Sequence, residues 1–263
     1  MPGLPLPLSI SIISLNEEGN LRRCLESVKG LAQEIVVVDS GSKDRTCEVA
    51  AEFGAKVVHQ DWLGHRDQKN VALKLCTQPW VLALDCDEAF SDDLRASVLA
   101  FFDKPDADRP PGAWMNRRTW FMGRWITHGD WYPDAKLRIF RRELAHWGGS
   151  PEHDKIVLQG EEDRRTIHLR GDLLHYSFRD TNHFLTKQAG YADVFLQREL
   201  AKNLGFSWMK VIARPIWRFF RSYVLRLGFL DGFPGLWIAV ATGFFTFQRY
   251  SRTYEHSAGK SGS

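Results

Sequence analysis

The chain has 263 residues and a net charge of +3, with 44% hydrophobic and 25% charged residues. This length suits one large domain with an appendage, and the composition is that of an ordinary folded protein. So small a net charge does not indicate nucleic acid, and we expect no nucleic-acid partner.

The four cysteines indicate the compartment. They stand at positions 24, 47, 76 and 86 without any CxxC spacing. This arrangement predicts reduced thiols in a cytosolic protein rather than a disulfide framework or a zinc site. The amino terminus, MPGLPLPLSISIIS, lacks a basic region, so we expect neither a cleaved signal peptide nor export.

The first part of the chain alternates predicted strands and helices. Helical spacing of apolar residues occurs between Leu21 and Val28, and helix-start signals at Ser42 precede a segment that ends at Gly54. This order predicts parallel strands in βαβ units, with ligands bound beyond the carboxyl ends of the strands. The predicted strands are Leu8 to Ile13, Ile35 to Val38, Ala55 to Val58 and Trp80 to Leu84.

Polar residues follow three of these strands. Asn16 and Glu17 come after the first strand, Asp39 and Ser40 after the second, and an acidic group after the fourth. We expect them to meet along one edge of the sheet. No GxGxxG follows the first strand and no GxxxxGK[ST] occurs, which argues against dinucleotide and P-loop sites.

The acidic group consists of Asp85, Asp87 and Glu88. Carboxylates this close repel each other, so a cation or strong hydrogen-bond donors should share the site. Asp85 and Asp87 are two residues apart and would point to the same side of an extended chain, where they could share one hard cation. A divalent ion bound together with a nucleotide diphosphate would neutralise both these carboxylates and the diphosphate. Asp92 and Asp93 are instead expected to begin a helix.

The polar, proline-rich stretch from Asp103 to Gly112 predicts a boundary. The aromatic residues between Trp114 and Tyr132 could form core or a platform for sugar rings, and the sequence leaves both open. Helical patterning resumes at about Asn182. Between these points the predicted strands are Ala113 to Phe121, Lys136 to Arg141, Lys155 to Leu158 and Asp172 to Phe178.

The carboxyl end carries the positive charge. Seven basic and two acidic residues lie between Phe206 and His256. An amphipathic helix is predicted, kinked or split at Pro215, with Lys210, Arg214, Arg218 and Arg221 on one face. The apolar stretch from Gly232 to Phe247 has 16 residues, too few for a spanning helix. Residues 208–247 are therefore predicted to bind an anionic membrane surface. Covering the sheet, or pairing in a homo-oligomer, is the alternative.

Four stretches resemble known motifs: SLNEEGNLRRCLESV, EIVVVDSGSKDRT, WLGHRDQKNVAL and WVLALDCDE. In this order and spacing they are similar to the nucleotide-binding half of family 2 glycosyltransferases. The whole chain resembles the bacterial lipopolysaccharide core β-1,4-glucosyltransferase group. The resemblance implies an α/β GT-A fold, a Rossmann-like mixed sheet flanked by helices, with a C-terminal amphipathic helical membrane-associating appendage. The implied ranges are 1–104 for the nucleotide-sugar-binding half, 105–200 for the acceptor-binding and catalytic half, 201–256 for the amphipathic helices and 257–263 for a disordered tail.

The resemblance also implies the site. Asp85, Asp87 and His175 would hold a divalent metal, Mg²⁺ or Mn²⁺, although His175 could equally be a buried structural histidine. Asp154 is the first choice for the catalytic base, Glu152 the second and His153 the third, because Glu152-His153-Asp154 replaces the usual valine-histidine-glutamate. Trp131, Tyr132 and Arg138 would bind the acceptor. The UDP-sugar donor would be bound by Leu15, Asn16, Glu17, Asp39, Ser40, Lys69, Asp85 and Cys86, with a solvated surface lysine as the alternative for Lys69.

The implied activity is inverting transfer of a sugar, with glucose from UDP-glucose as the specific expectation, to a lipopolysaccharide inner-core heptose. Such transfer needs a base that deprotonates the acceptor hydroxyl. The acceptor would be a lipid-linked saccharide, which places the protein peripherally on the cytoplasmic face of the inner membrane. The alternatives are transfer to a polyprenyl phosphate and a non-catalytic, membrane-associated nucleotide-sugar-binding protein.

Overall fold

The computed structural model describes residues 5–150, 153–160, 165–187, 196 and 207–261. The chain forms two compact units. The first unit comprises Met1–Arg117 and Asp134–Tyr176, and the second comprises Arg118–Pro133 and Ser177–Ser263. The first unit therefore includes parts of both predicted halves of the GT-A domain.

The first unit begins with a parallel sheet, as predicted. Its strands are hydrogen-bonded in the order β3-β2-β1-β4, and each of these pairs is parallel. The strands are β1 (Leu6–Ser14), β2 (Ala32–Asp39), β3 (Lys56–His59) and β4 (Trp80–Ala83), and the helices between them are α1 (Glu18–Ser27), α2 (Thr46–Glu52) and α3 (His65–Leu75). The four apolar runs are thus confirmed as strands.

Strand β1 shows why these runs form buried strands. Ile10 and Ile12 lie in the main hydrophobic core of the first unit, while Ser9 and Ser11, which alternate with them along the strand, are also buried. A strand covered on both faces reads as an almost unbroken apolar run. Helix α3 was not predicted, because it buries only Gln68, Ala72 and Leu73.

The sheet then becomes antiparallel. Beyond β4 the order continues β8-β6-β11-β5, and β4 pairs antiparallel with β8. A separate antiparallel pair is formed by β9 and β10, and the short β7 pairs with the end of β6. These elements are β5 (Glu88–Phe90), α4 (Asp92–Asp103), β6 (Gly112–Phe121), β7 (Arg124–Trp125), β8 (Asp134–Arg141), β9 (Ala145–Ser150), β10 (His153–Leu158) and β11 (Ile167–His175). This mixed sheet flanked by helices is the GT-A architecture.

Two local predictions in this half have different outcomes. Ser91 caps α4 by accepting a hydrogen bond from the Leu94 amide at 3.2 Å, which confirms the predicted helix start. The strand predicted from Asp172 to Phe178 is wrong in its bounds, since β11 starts earlier and ends at His175. Beyond the end of β11, the amide of Tyr176 donates to the carbonyl of Asp87 at 2.8 Å.

The second unit is helical near the carboxyl end. Residues 181–187 form α5, followed by α6 (Trp208–Phe220) and α7 (Gly232–Ser261). Pro215 lies inside α6 and does not split it, and the irregular π-helical turn comes later, at Arg221–Leu225. Helices α6 and α7 approach closely at Gly243, where a Cβ atom would lie 3.3 Å from the Pro215 carbonyl oxygen.

The length of α7 corrects the sequence argument. The helix has 30 residues and continues past both Phe247 and the predicted start of the tail at Ser257. The stretch Gly228–His256 has 29 residues and is long and apolar enough to cross a membrane by length and composition. Its most apolar window of 18 residues has a mean hydropathy of 1.3, yet half of that window is buried within the protein. The length of α7 therefore does not exclude a membrane-spanning helix, but this one helix is only weak evidence for a membrane span.

Two features join the parts of the second unit. Trp131 packs on Phe121, Phe178 and Phe184, with ring centroids 5.2 to 5.6 Å apart, so this aromatic residue belongs to a core. Asp231 is fully buried and accepts hydrogen bonds from the amides of Thr127 and His128 at 3.0 and 2.8 Å. The Arg124 guanidinium also bonds to it at 3.3 Å.

Candidate active site

The loops after β1 and β2 are joined by hydrogen bonds. Asn16 adopts a left-handed conformation, φ 55°, which asparagine tolerates better than most residues. Its amide donates to the hydroxyl of Ser42 at 2.8 Å, and its side-chain oxygen accepts from the Lys43 amide at 2.8 Å. Glu17 donates its amide to Thr46 at 2.8 Å. Leu15, Asn16 and Glu17 thus lie beside the loop that follows Asp39.

Asp39 holds that second loop. Its Oδ1 accepts from the hydroxyls of Ser14 and Ser42 at 2.9 and 2.5 Å, and its Oδ2 accepts from the amides of Gly41 and Ser42 at 2.9 and 2.8 Å. Burial would raise the pKa of Asp39, but these hydrogen bonds outweigh burial and lower it. Ser40 accepts a hydrogen bond from Gln68 at 3.0 Å.

Lys69 connects two carboxylates. Its Nζ lies 2.8 Å from Oδ1 of Asp85 and 2.8 Å from Oδ2 of Asp154, over the ring of Trp147. The Lys69 side chain is only 12% exposed, so it is not a solvated surface lysine. The buried ammonium group of Lys69 therefore links Asp85, at the carboxyl end of β4, to Asp154, the base candidate on β10.

Arginines complete the balance of charge. Arg138 Nη2 lies 2.7 Å from Oδ2 of Asp85 and also bonds to Glu88, which is fully buried. Arg117 lies 3.4 Å from Glu88. Lys69, Arg117 and Arg138 thus face Asp85, Glu88 and Asp154, and we call these six residues the charge cluster. Much of the positive charge that the sequence required comes from the chain itself.

The pKa directions agree with this pairing. Burial would raise the pKa of Asp85, but Arg138 and Lys69 outweigh burial and hold it well below its ordinary value. Burial would lower the pKa of Lys69, but Asp85 and Asp154 raise it overall, against the repulsion from Arg138. Asp85 and Lys69 are therefore both charged at neutral pH.

Asp87 instead faces His175. Their nearest atoms, Oδ2 and Nε2, are 3.4 Å apart, and the side chains are 22% and 12% exposed. Within the part of the chain that the structure describes, no group of three or more His, Cys, Asp or Glu side chains is placed to hold a metal ion. A Mg²⁺ ion commonly takes one or two protein carboxylates together with substrate phosphates. The pair therefore fits an ion bound jointly with a diphosphate, not one held by protein alone.

The order of elements and this site agree with a comparison of the sequence to known families. Residues 9–156, more than half of the chain, match the family model described as "Glycosyl transferase family 2". The chain belongs to glycosyl transferase family 2.

Relatives of this glycosyltransferase extend over nearly its whole length. The lipopolysaccharide core biosynthesis glycosyltransferase LpsC of Rhizobium meliloti is 31% identical over 245 residues, covering 91% of this chain and 86% of that protein. An uncharacterised glycosyltransferase of Rickettsia typhi is 28% identical over 255 residues, covering 95% and 87%. Among solved structures, TarS 1-349 of S. aureus has a TM-score of 0.47 at 17% identity, covering 95% of this chain and 91% of that one.

The structure describes the surroundings of three predicted site residues of the glycosyltransferase. Cys86 is buried, and its thiol donates to the carbonyl of Ile13 at 3.2 Å, so its side chain does not face a donor. Arg138 is 4% exposed and bonds within the charge cluster rather than presenting itself to an acceptor. Both oxygens of Asp85 contact cations of the chain, Lys69 and Arg138, whereas Asp87 lies beside His175.

Other predicted residues stand elsewhere. Glu152 lies outside the described residues, and His153 is described only as the first residue of β10. Trp131 and Tyr132 belong to the second unit. The structure thus brings together Asp85, Lys69 and Asp154, and separately Asp87 and His175, from the predicted set.

Sequence reasoning did not assign Gln68 or Arg117 to the glycosyltransferase site. Gln68 is completely buried and donates to both Ser40 and the carbonyl of Gln60, which fixes the loop after β3. Arg117 was part of a predicted strand only. The position of Gln68 beside Lys69 in the sequence was the available signal for Gln68. No such signal existed for Arg117, because its partner Glu88 is distant in sequence.

Proposed function

We propose that this glycosyltransferase moves a sugar from a UDP-sugar, with glucose from UDP-glucose as the specific candidate, to a heptose of the lipopolysaccharide inner core. The observation that carries the proposal is the position of Lys69 between Asp85 and Asp154. It joins the aspartate of the donor motif to an acid that can act as base. The relationship to LpsC supports the class of acceptor.

Asp154 is proposed as the catalytic base. Its Oδ2 is bonded to Lys69, so we assign proton uptake from the acceptor hydroxyl to Oδ1. The side chain is 20% exposed, which leaves it accessible from solvent while Lys69 fixes its direction. A base held in this way can deprotonate the hydroxyl as that oxygen attacks the anomeric carbon from the side opposite the leaving diphosphate.

Asp87 and His175 are proposed to hold a divalent ion, Mg²⁺ or Mn²⁺, together with the diphosphate of the donor. When bound, such an ion would neutralise the negative charge that develops on the leaving diphosphate. The charge cluster contributes a different effect: Lys69 and Arg138 keep Asp85 ionised, so that it can accept hydrogen bonds from the donor.

The second unit is proposed to bind the cytoplasmic face of the inner membrane peripherally, through residues 208–247. Large apolar side chains on α6 are exposed, with Trp208 at 67% and Ile216 at 65%. Apolar side chains next to basic ones favour an anionic leaflet. Two of the four arginine and lysine residues predicted for this contact, Arg218 and Arg221, also pair with Asp130, which reduces their expected contribution.

The test is a panel of UDP-sugars offered with a heptose-containing core oligosaccharide, followed by mass spectrometry of the product and linkage analysis. We expect one hexose to be added from UDP-glucose. Addition from another UDP-sugar only would replace the donor assignment, and addition to a polyprenyl phosphate but not to the oligosaccharide would replace the acceptor assignment.

A further inference from the structure

Three consecutive polar residues of α3 contact three different parts of the first unit. Gln68 fixes the loops after β2 and β3, and Lys69 links two carboxylates. Asn70 contacts β9: its side-chain nitrogen donates to the carbonyl of Trp147 at 2.9 Å, and its side-chain oxygen accepts from the amide of Trp147 at 3.0 Å. One asparagine thus binds both backbone polar groups of a single residue.

The pairing of β9 with β10 explains why these groups are available. In an antiparallel pair, residues that bond to the partner strand alternate with residues whose N–H and C=O groups point away from it. Trp147 is opposite Ile156 in the register, and because both its backbone groups bond to Asn70, it is of the second kind. The outward groups of an edge strand are those with which a further strand would pair. Strands β9 and β10 form a two-stranded sheet of their own, and at Trp147 the side chain of Asn70 takes the place of a third strand.

Asp154 lies on β10, the partner of the strand that Asn70 holds. It stands two positions before Ile156, and residues two apart on a strand point to the same side. Ile156 packs in a hydrophobic cluster that includes Ala72 of α3. Asp154 therefore faces α3 as well, in agreement with its 2.8 Å contact to Lys69.

Asn70 and Lys69 constrain the site in different ways. Lysine has a flexible stem, so Lys69 can follow Asp154 if β10 shifts. Asparagine has a short side chain, and its two hydrogen bonds to one residue set both the distance of β9 from α3 and the residue of β9 that lies opposite Asn70. A displacement of about 1 Å at a reacting group can lower a rate by about 10²-fold. The backbone that carries the base is therefore held by Asn70, and the carboxylate is oriented by Lys69.

We propose that Asn70 is a positioning residue for the transfer reaction: by holding β9 on α3, it sets the point from which Asp154 reaches the acceptor hydroxyl. The inference rests on the proposed role of Asp154 as the base and adds a residue that acts through it. Asn70 needs no contact with the donor or the acceptor for this effect. The expected signature is a loss of turnover without a loss of donor affinity.

The experiment is a double-mutant cycle of Asn70→Ala and Asp154→Asn in the full chain, measured as single-turnover transfer with the donor and acceptor that the panel of UDP-sugars identifies. Asn70→Ala alone should lower the rate by about 10- to 100-fold, as expected for a misplaced reacting group. In the Asp154→Asn background the same substitution should cost less than about twofold, because the group that it positions is absent. The affinity for the donor, measured by calorimetry without acceptor, should be unchanged in Asn70→Ala.

A purely structural role of Asn70 would give a different result, since destabilisation lowers the rate by the same factor in both backgrounds. Equal losses in both backgrounds, with Asp154→Asn itself slow, would overturn this inference and leave the base assignment intact. Transfer by Asp154→Asn at the wild-type rate would overturn the base assignment of the proposed function, and this inference with it.

Two further variants separate positioning from folding, which urea unfolding measures for each of them. Lys74→Ala removes an exposed polar side chain from the same helix and should retain the wild-type rate. Asn70→Gln keeps both hydrogen-bonding groups on a side chain that is longer by one methylene. It should therefore unfold close to the wild-type midpoint and still lose turnover. Wild-type turnover in Asn70→Gln would show that Asn70 does not set the distance between α3 and β9, and would overturn the inference.

Discussion

Replacing Lys69 with methionine tests the link between the donor motif and the base. Methionine retains the apolar part of the side chain over Trp147 and removes the charge that lies 2.8 Å from both Asp85 and Asp154. Removing one partner of a buried ion pair costs about 3–5 kcal/mol, because the remaining charge is left without a partner. Here Asp85 keeps Arg138 and Asp154 is 20% exposed, so we expect about 3 kcal/mol, at the lower end of that range.

Activity should fall more steeply than stability accounts for. Without Lys69, Asp154 loses the contact that fixes its direction, and the contribution of a positioned base is about 10²- to 10⁴-fold. The assays are urea unfolding for the free energy and single-turnover transfer for the rate, both at saturating donor. Lys74→Met is the matched control, since Lys74 is an exposed lysine in the same helix.

A double-mutant cycle separates the pair from general damage. Lys69→Met and Asp154→Asn should together lose less activity than the sum of the single losses, with a coupling energy of about 0.5–3 kcal/mol. Additive effects would show that the two residues act independently. Unfolding free energy and turnover of Lys69→Met equal to those of Lys74→Met would refute the reasoning altogether.

Three other predictions concern single aspartates. Asp87→Ala should abolish metal-stimulated transfer, and sugar transfer by the wild type should cease in excess chelator. The control Asp61→Ala should keep its transfer activity, because the Asp61 side chain is 94% exposed. Transfer by Asp87→Ala at the wild-type rate would contradict the metal assignment. Asp154→Asn should lower turnover by about 10²- to 10⁴-fold with donor affinity retained; unchanged turnover, together with loss in Glu152→Gln, would move the base to Glu152. Since the pKa of Asp39 is lowered from 3.8, its stabilisation is complete above that value and is lost as pH falls below it. The free energy of unfolding should therefore decline less steeply with acidification in Asp39→Asn, and identical pH slopes would contradict this.

The parallel half of the sheet could be predicted because its determinants are local. Runs such as Trp80 to Leu84 are apolar, short and rich in strand-forming residues, and the structure buries all of β4. Helix α3 escaped prediction because a buried glutamine, Gln68, occupies the position where an apolar residue would complete the pattern. The length of α7 was underestimated because polar residues after Phe247 end the apolar run but not the helix.

The sequence predicted where the site lies, but only some of the residues that form it. The acidic group after β4 indicated where positive charge was needed, and the sequence suggested a metal. Arg138 supplies part of that charge although it is 53 positions from Asp85 in the sequence. The two residues meet because β4 and β8 are neighbouring strands in the sheet. Such a contact depends on which strands become neighbours, and no local pattern encodes that. Asp87 remains the aspartate for which a metal is proposed.

The burial of Asp231 bears on how this protein can be shortened. A truncation that ends before Gly228 would remove the apolar helix α7. The same cut removes Asp231, which accepts hydrogen bonds from the amides of Thr127 and His128 and from Arg124, about a hundred positions earlier. A truncated chain would leave those donors without their acceptor, so solubility is better sought by substituting exposed side chains such as Phe233 and Phe244.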